Sequence, residues 1–546
     1  MTLSIDREGV GLLCPNAASQ TFCQRLTRHK TALVLLGLWP LLAGWPLQAA
    51  EFDGHLLAAV RLTLENAPDI ALSEQQIQAS QGRLLAAQSE FVPVIYSGVG
   101  GQSVHTPLPQ ALRAGGQSEI NGDTFNYSVG ASKKLYSGII VNPELSVNRS
   151  SDNYGNTSVP NSGNLALNFT VPLLKDSGSL VNTANMSAAQ LELDSAAHDY
   201  RFTLSAKIAS TVIAYWDCLA AKKLLDISAA AEQRSKEFLD SAHKLANADE
   251  IPQAEVKRYE TQLAGDTIAR ISAEQALVAA RAGLALAMQL PDQNPTAVAL
   301  PTDDFPVVGS ADLASLDNSA SVQHVIETAA QQRLDVQAIS IRQQAANILL
   351  AAARQNNRTQ LDLNLSIGYS GLTEGSAIAN TVTALQPKGN GPNAAVSVNL
   401  AFPVTDNAYR SAIVQRAAAA EQNSIQTKAL QNAIRNNIHV HINALRLSAA
   451  QWAKAKFQAD TQFQVLENEK KRYKLGVGSV LDIIYNNAQL SVSQANAVYA
   501  ARDFSQAVIR FRFETGQLLE PLHERQSLDM AALTTLPTTV FRTDAP

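Results

Sequence analysis

His439 and His441, in the tripeptide His-Val-His, are the side chains whose types most invite metal chemistry. On a helix, residues two apart project about 200° from one another, so a shared ion is not expected. Asp303 and Asp304 adjoin, but they lie in a proline-rich stretch where solvated charge is the default reading. Cys218 is the sole cysteine after residue 50, which excludes an intramolecular disulfide framework and a paired-cysteine zinc site and leaves a thiol at a helix interface. No phosphate-cradling glycine loop and no nucleophile elbow is present. The sequence therefore predicts no enzyme, no metal and no cofactor, and attention moves to what its elements build.

The chain has 546 residues, of which 6% are aromatic and 17% charged, thin material for several large compact cores. A net charge of -5 over that length gives no basic patch, so no nucleic-acid partner is predicted. Basic residues Arg25, Arg28 and Lys30 precede an apolar run that ends in small residues before Glu51. Residues 1–50 read as a secretory signal peptide cleaved near Ala49 or Ala50, with an uncleaved anchor as the alternative. Cys14 and Cys23 lie inside that leader without the small-apolar pattern of a lipid-modified cysteine.

The mature chain reads as two copies of one unit. "ENAPDIALSEQQIQASQGRLLAAQ" at 65–88 is echoed by "QQRLDVQAISIRQQAANILLAAA" at 331–353, with Asp69 matching Asp335. "FTVPLL" around Pro172 is echoed by "LAFPV" around Pro403, and "AHKLANADEIPQAEVKRYETQL" by "RYKLGVGSVLDIIYNNAQL". The expected division is a first repeat at 51–290, a proline-containing linker at 291–320, a second repeat at 321–520 and a polar tail at 521–546. Each repeat runs helix, strands, proline, long helical pair, with strands at about 94–172 and about 361–402.

The strand stretches alternate with period two. Phe125, Tyr127 and Val129, then Leu165, Leu167 and Phe169, then Val396, Val398 and Leu400 mark an apolar face, while the other face is Asn, Ser, Thr and Gly. A sandwich core would alternate in the same way. Long loops at 103–124, 150–163 and 372–393, set against the short turn Tyr136-Ser137-Gly138, favour the asymmetry of a membrane barrel. Four to six strands are too few to close such a barrel, so closure requires further copies of the chain, and a homo-oligomer is predicted.

From about Gly178 to Leu245 and from Asn407 to Leu475 there is no proline and almost no glycine. A continuous helix of about 70 residues spans on the order of 100 Å, suited to a tube crossing the periplasm. A fibrous coiled coil is the competing reading, and the strands between the helices count against it.

The duplicated helix starts, the strand-proline-helix junctions at Pro172 and Pro403, and the stretch 472–490 followed by Ala-rich helix to "ETGQLL" together resemble the TolC-like outer-membrane efflux proteins. That resemblance implies a mixed α/β membrane protein: a homotrimeric outer-membrane β-barrel continuous with a long periplasmic α-helical barrel, built from two tandem repeats. It implies a passive exit duct for efflux or type I secretion that meets outer-membrane lipid, a periplasmic adaptor and an inner-membrane transporter. Four strands per chain are usual in the family, and about 34 extra residues in the first copy leave room for six. Gly476 matches the family's periplasmic turn and Asp482 the first acidic position of a closed aperture, with Tyr485 where some members carry a second acid. Adaptor docking is implied for Lys474, Gly476, Val477, Gly478 and Ser479. A helix N-terminal carboxylate is the plainer role for Asp482. A structural coiled coil without a channel and a general diffusion porin remain the functional alternatives.

Overall fold

The computed structural model describes residues 2–4, 52–113, 118–153, 159–290, 298–306, 319–386, 392–402, 404–405, 407–519, 527–529 and 533–535. The leader beyond Thr2–Ser4, most of the tail and Pro403 lie outside the described residues. Thr2–Ser4 pairs with Ser527–Asp529 as a separate two-stranded ribbon. The chain divides into two units, one comprising residues 69–203 and 330–434, the other 1–68, 204–329 and 435–546.

The first unit holds a six-stranded antiparallel sheet in sequential order: β1 (Val94–Pro107), β2 (Glu119–Lys134), β3 (Ile140–Asp152), β4 (Pro160–Pro172), β5 (Gln360–Glu374) and β6 (Asn393–Ala401). Four strands precede Pro172 and two come from the second half. The strands run past the alternating stretches, so the loops shrink to 108–118, 153–159 and 375–392. Alternation fades at those ends because Asp123, Arg149 and Asn161 take positions on the otherwise apolar face.

Register follows the pattern. Tyr127 opposes Val147, Leu165 opposes Tyr369 and Leu363 opposes Val398, so the alternating apolar positions of β2 to β6 share one face, which β1 joins through Ile95 and Val99. That face is uncovered over most of its area: Val99 is 78%, Ile367 57% and Val396 70% exposed. On the other face, Thr170 donates to Asn364 (3.0 Å) and Ser366 to Asn168 (2.7 Å), a cross-strand polar ladder. Among the described residues, β1 and β6 are unpaired along their outer edges.

β2 turns into β3 at residues 135–139, where Gly138 has φ +93° and a β-carbon would collide with Asp176 and Asn182. Helices α2 (Pro68–Ser89) and α6 (Leu334–Gln355) belong to this unit and lead into β1 and β5. Arg333, only 6% exposed, precedes α6 and pairs with Asp335 at 2.8 Å, and its guanidinium lies over the Phe202 ring.

Helix α3 (Ala184–Asn247, 64 residues) and α7 (Asn407–Lys474, 68 residues) contain neither glycine nor proline. At 1.5 Å per residue each amounts to about 100 Å of helix. α3 begins six residues later than the sequence suggests, after a single turn at Ser179–Asn182. Among the described residues no helix is long and apolar enough to cross a membrane, which says nothing of a β-barrel.

In the other unit, α1 (Leu56–Asn66), α4 (Gln253–Ala287), α5 (Ser319–Gln332), α8 (Val480–Glu514) and the adjoining parts of α3 and α7 form the helical body. Its core joins Leu56 and Val60 of α1, Ile208, Val212, Tyr215 and Trp216 of α3, Leu284 of α4 and Ile509 of α8. Cys218 is fully buried there, and burial pushes its thiol up to about 11. A charged maleimide at pH 8 should leave the folded protein unlabelled and take up one equivalent after denaturation, measured by mass spectrometry; rapid labelling of the folded chain would contradict this core.

The solvated-charge reading of Asp303 is overturned. Its carboxylate, with 19% of the side chain exposed, accepts from the Leu56 backbone N–H (2.7 Å) and the Tyr215 hydroxyl (2.8 Å) and pairs with His55 (3.2 Å). It therefore caps α1 from about 250 residues away. Asp304 keeps the solvated role at 88% exposure, with Lys223 at 2.9 Å. Proximity in sequence concealed two different environments.

Candidate functional site

Two helical hairpins end in tips at 248–252 and 475–479 within the helical unit. At the second tip Gly476 has φ +75°, and the Val477 N–H reaches back to the Arg472 carbonyl (3.1 Å), closing the end of α7. The first tip lacks a glycine, yet Asp249 adopts φ +58° and the Glu250 N–H bonds the Leu245 carbonyl (2.9 Å). Asp tolerates the left-handed region better than most residues, so the same cap forms without glycine. The far ends of α4 and α8 repeat the pattern with Gln289 (φ +51°) and Gly516 (φ +75°). Residues 249 and 476, like 289 and 516, stand 227 apart.

The tips are packed together. Ala242, Tyr259 and Val480 form a small cluster with Phe238, Ile251 and Tyr473. Above it, Arg234 of α3 donates to Asn487 (2.6 Å) and Ser491 (3.1 Å) of α8, tying one hairpin to the other. Within the first hairpin, Glu232 accepts from Thr267 and Arg270, both at 2.7 Å. Arg234 carries no sequence motif; only the packing of α3 on α8 identifies it.

No family model matches the sequence. Protein CyaE of Bordetella pertussis is 25% identical over 338 residues, which span 60% of this chain and 66% of that protein, just under two thirds of its length. Among solved structures, the Campylobacter jejuni CmeC outer membrane channel superposes with a TM-score of 0.57 at 14% identity, covering 85% of both chains. The Vibrio cholerae outer membrane protein VceC gives 0.57 at 15%, covering 84% of this chain and 96% of its own. The open-state Neisseria gonorrhoeae MtrE outer membrane channel gives 0.56 at 13%, covering 85% and 89%. The chain has the TolC-like outer-membrane channel fold.

In this TolC-like fold the residues singled out from the sequence fall as follows. Lys474, Gly476 and Val477 are exposed at the second tip, beside Leu475 at 78% exposure. Gly478 approaches Tyr473 so closely that a β-carbon would lie 2.8 Å from the Tyr473 backbone nitrogen. Ser479 caps α8: its hydroxyl accepts from the Leu481 N–H (3.1 Å), and Asp482 accepts from the Ser479 N–H (3.4 Å). The plainer role expected of Asp482 is thus realised in its geometry. Asp482 also shares an exposed face with Tyr485, while Val480, Ile483 and Asn487 turn inward. Pro172 is buried at the end of β4, where the next residue still donates to the Leu361 carbonyl (2.8 Å) before the chain turns towards helix. His441 faces Glu514 at 4.0 Å whereas His439 is exposed, so the two imidazoles do not converge.

Proposed function

We propose that the chain is one subunit of a homotrimeric outer-membrane channel-tunnel, the passive exit duct of an efflux or type I secretion system. The observation that carries this reading is the open six-stranded sheet, apolar on one face and lined by Asn, Ser and Thr on the other, in a chain that also makes helices of 64 and 68 residues. Open edges are untenable in lipid, and three such sheets joined edge to edge would leave none. The recurrence of helix caps 227 residues apart supports two tandem repeats.

In this reading the polar face lines water, the apolar face meets outer-membrane lipid, and the tips point into the periplasm. Lys474 to Ser479 meet a periplasmic adaptor, and an inner-membrane transporter supplies the energy. Opening loosens the tips, where the Arg234 bonds to Asn487 and Ser491 hold the two hairpins together. Three copies of Asp482 near one axis would focus negative potential on a closed aperture and bind cations.

Imaging of the detergent-purified protein should show a three-fold particle with a barrel crown and a helical stem. In planar bilayers, Asp482→Ala should weaken block by divalent cations several-fold. A compact or filamentous particle would defeat the channel reading, high unassisted conductance would favour a diffusion porin, and unchanged block would remove Asp482 from the aperture.

A further inference from the structure

Residues 375–386, the described first part of the loop between β5 and β6, fold back onto the sheet. Their short helix, Ile378–Thr383, leads to Ala384, which is buried against the apolar face. Two glycines make this approach possible. Gly163 and Gly371 are cross-strand partners on that face, and a β-carbon at Gly163 would lie 2.8 Å from the Ala384 carbonyl oxygen, with Gly371 closer still. Buried Asn161 fastens the start of the loop by donating to the carbonyls of Gly375 (2.9 Å) and Thr373 (3.2 Å).

The helix then displays Ile378 at 80% and Val382 at 66% exposure, an unusual choice for a loop meant for water. Together with Phe125 and Tyr127 of β2 they wall a groove of about 620 Å³, which also contains Arg149 of β3 and Asp123 of β2. The groove lies at the sheet end remote from the helix junctions, since β2 and β3 meet at the other end through the 135–139 turn. Arg149 stands opposite Phe125 and Asn161, on the apolar face. Neither Arg149 nor Asp123 has an ion-pair or side-chain hydrogen-bond partner among the described residues.

A guanidinium on a lipid-facing surface is costly at mid-bilayer and tolerable at headgroup depth, where it meets anions. We propose that this groove binds a phosphorylated, acylated sugar lipid of the outer leaflet. The proposal rests on the reading of the apolar face as the lipid-facing one. Arg149 takes the phosphate through its two-pronged fork, Asp123 accepts from sugar hydroxyls, and an acyl chain lies along Phe125, Tyr127, Ile378 and Val382. A cation and a carboxylate lining one groove select a phosphosugar over a simple anionic phospholipid, which offers the phosphate with few hydroxyl donors.

The test uses the full mature protein in phosphatidylcholine nanodiscs containing either lipid A or phosphatidylglycerol, with bound lipid counted by native mass spectrometry. The wild type should retain lipid A at least tenfold better than phosphatidylglycerol. Arg149→Gln and the double variant Ile378→Ser/Val382→Ser should each lose that preference while still assembling. Should Arg149→Gln fail to assemble, Arg149→Lys, which keeps the charge without the fork, should show a several-fold loss. Equal retention of the two lipids, or by wild type and assembled variants, overturns the groove and leaves the channel reading standing. Failure of the wild type to enter nanodiscs as a strand-rich oligomer overturns both.

Discussion

Trp216→Ala should destabilise the protein by about 3–5 kcal/mol, the range for removing a fully buried large aromatic side chain. Trp216 is 0% exposed and lies edge-on to Tyr215 with ring centroids 5.2 Å apart and Phe305 at 5.8 Å. It sits where α1, α3, α4 and α8 converge, so the cavity would be bordered by several elements that cannot all move inward. Its indole nitrogen is buried without a hydrogen-bond partner among the described residues. Such an orphaned donor carries a penalty of about 1–3 kcal/mol, which truncation would relieve in part. Trp216→Phe separates the two effects: it keeps most of the ring packing and deletes the orphan, and should fall within about 1 kcal/mol of wild type. Guanidinium unfolding followed by far-UV circular dichroism measures both; an Ala variant as stable as the Phe variant would show that this cluster is not the core of the helical unit.

Period-two alternation disclosed the strands because a sheet with one apolar face imposes it directly, and freedom from proline and glycine disclosed the long helices because any interruption costs a helix hydrogen bond. β1 alternated poorly in sequence, with Gly98, Gly100 and Gly101 diluting the pattern at the edge of the sheet. The tip glycine at 476 was singled out through the family resemblance, and its φ of +75° gives the physical reason a glycine stands there. Asp249 was not singled out, since it fills the same conformation without the signature residue. The reciprocal cap of Ser479 and Asp482 could be anticipated from their three-residue spacing. Arg234 and Asp303 could not, because their partners are Asn487 and Leu56, each about 250 residues away, and no local pattern encodes a distant partner.

Asp303→Asn should destabilise the protein by about 1–3 kcal/mol, because one carboxylate serves three groups that an amide cannot serve together. It accepts from the N–H of Leu56 (2.7 Å), which opens α1, from the Tyr215 hydroxyl (2.8 Å) and from His55 (3.2 Å). Burial pushes the Tyr215 phenol well above its usual range, so it remains a donor. Burial alone would raise the Asp303 carboxyl as well, but the bonds from Leu56, Tyr215 and His55 outweigh it and hold the group below 3.8. Its contribution is therefore present above that value and is lost as pH falls through the lowered one. His55 titrates in the opposite sense. The hydrogen bond to Asp303, with the carboxylate's charge, raises it above 6.5, so its contribution is complete below 6.5 and is lost as pH rises through the raised value. With 58% of its side chain exposed, His55 is screened by solvent, and the alkaline arm should be shallow beside the acid one. Unfolding midpoints between pH 3 and 9 should thus fall at both ends in the wild type. In Asp303→Asn the curve should lie lower where the wild-type carboxylate is ionised and converge on the wild type as pH falls through its lowered pKa, and the slope above 6.5 should flatten, while His55→Gln should remove that slope and keep the acid arm. An unchanged alkaline slope in Asp303→Asn would show that His55 titrates independently of the cap.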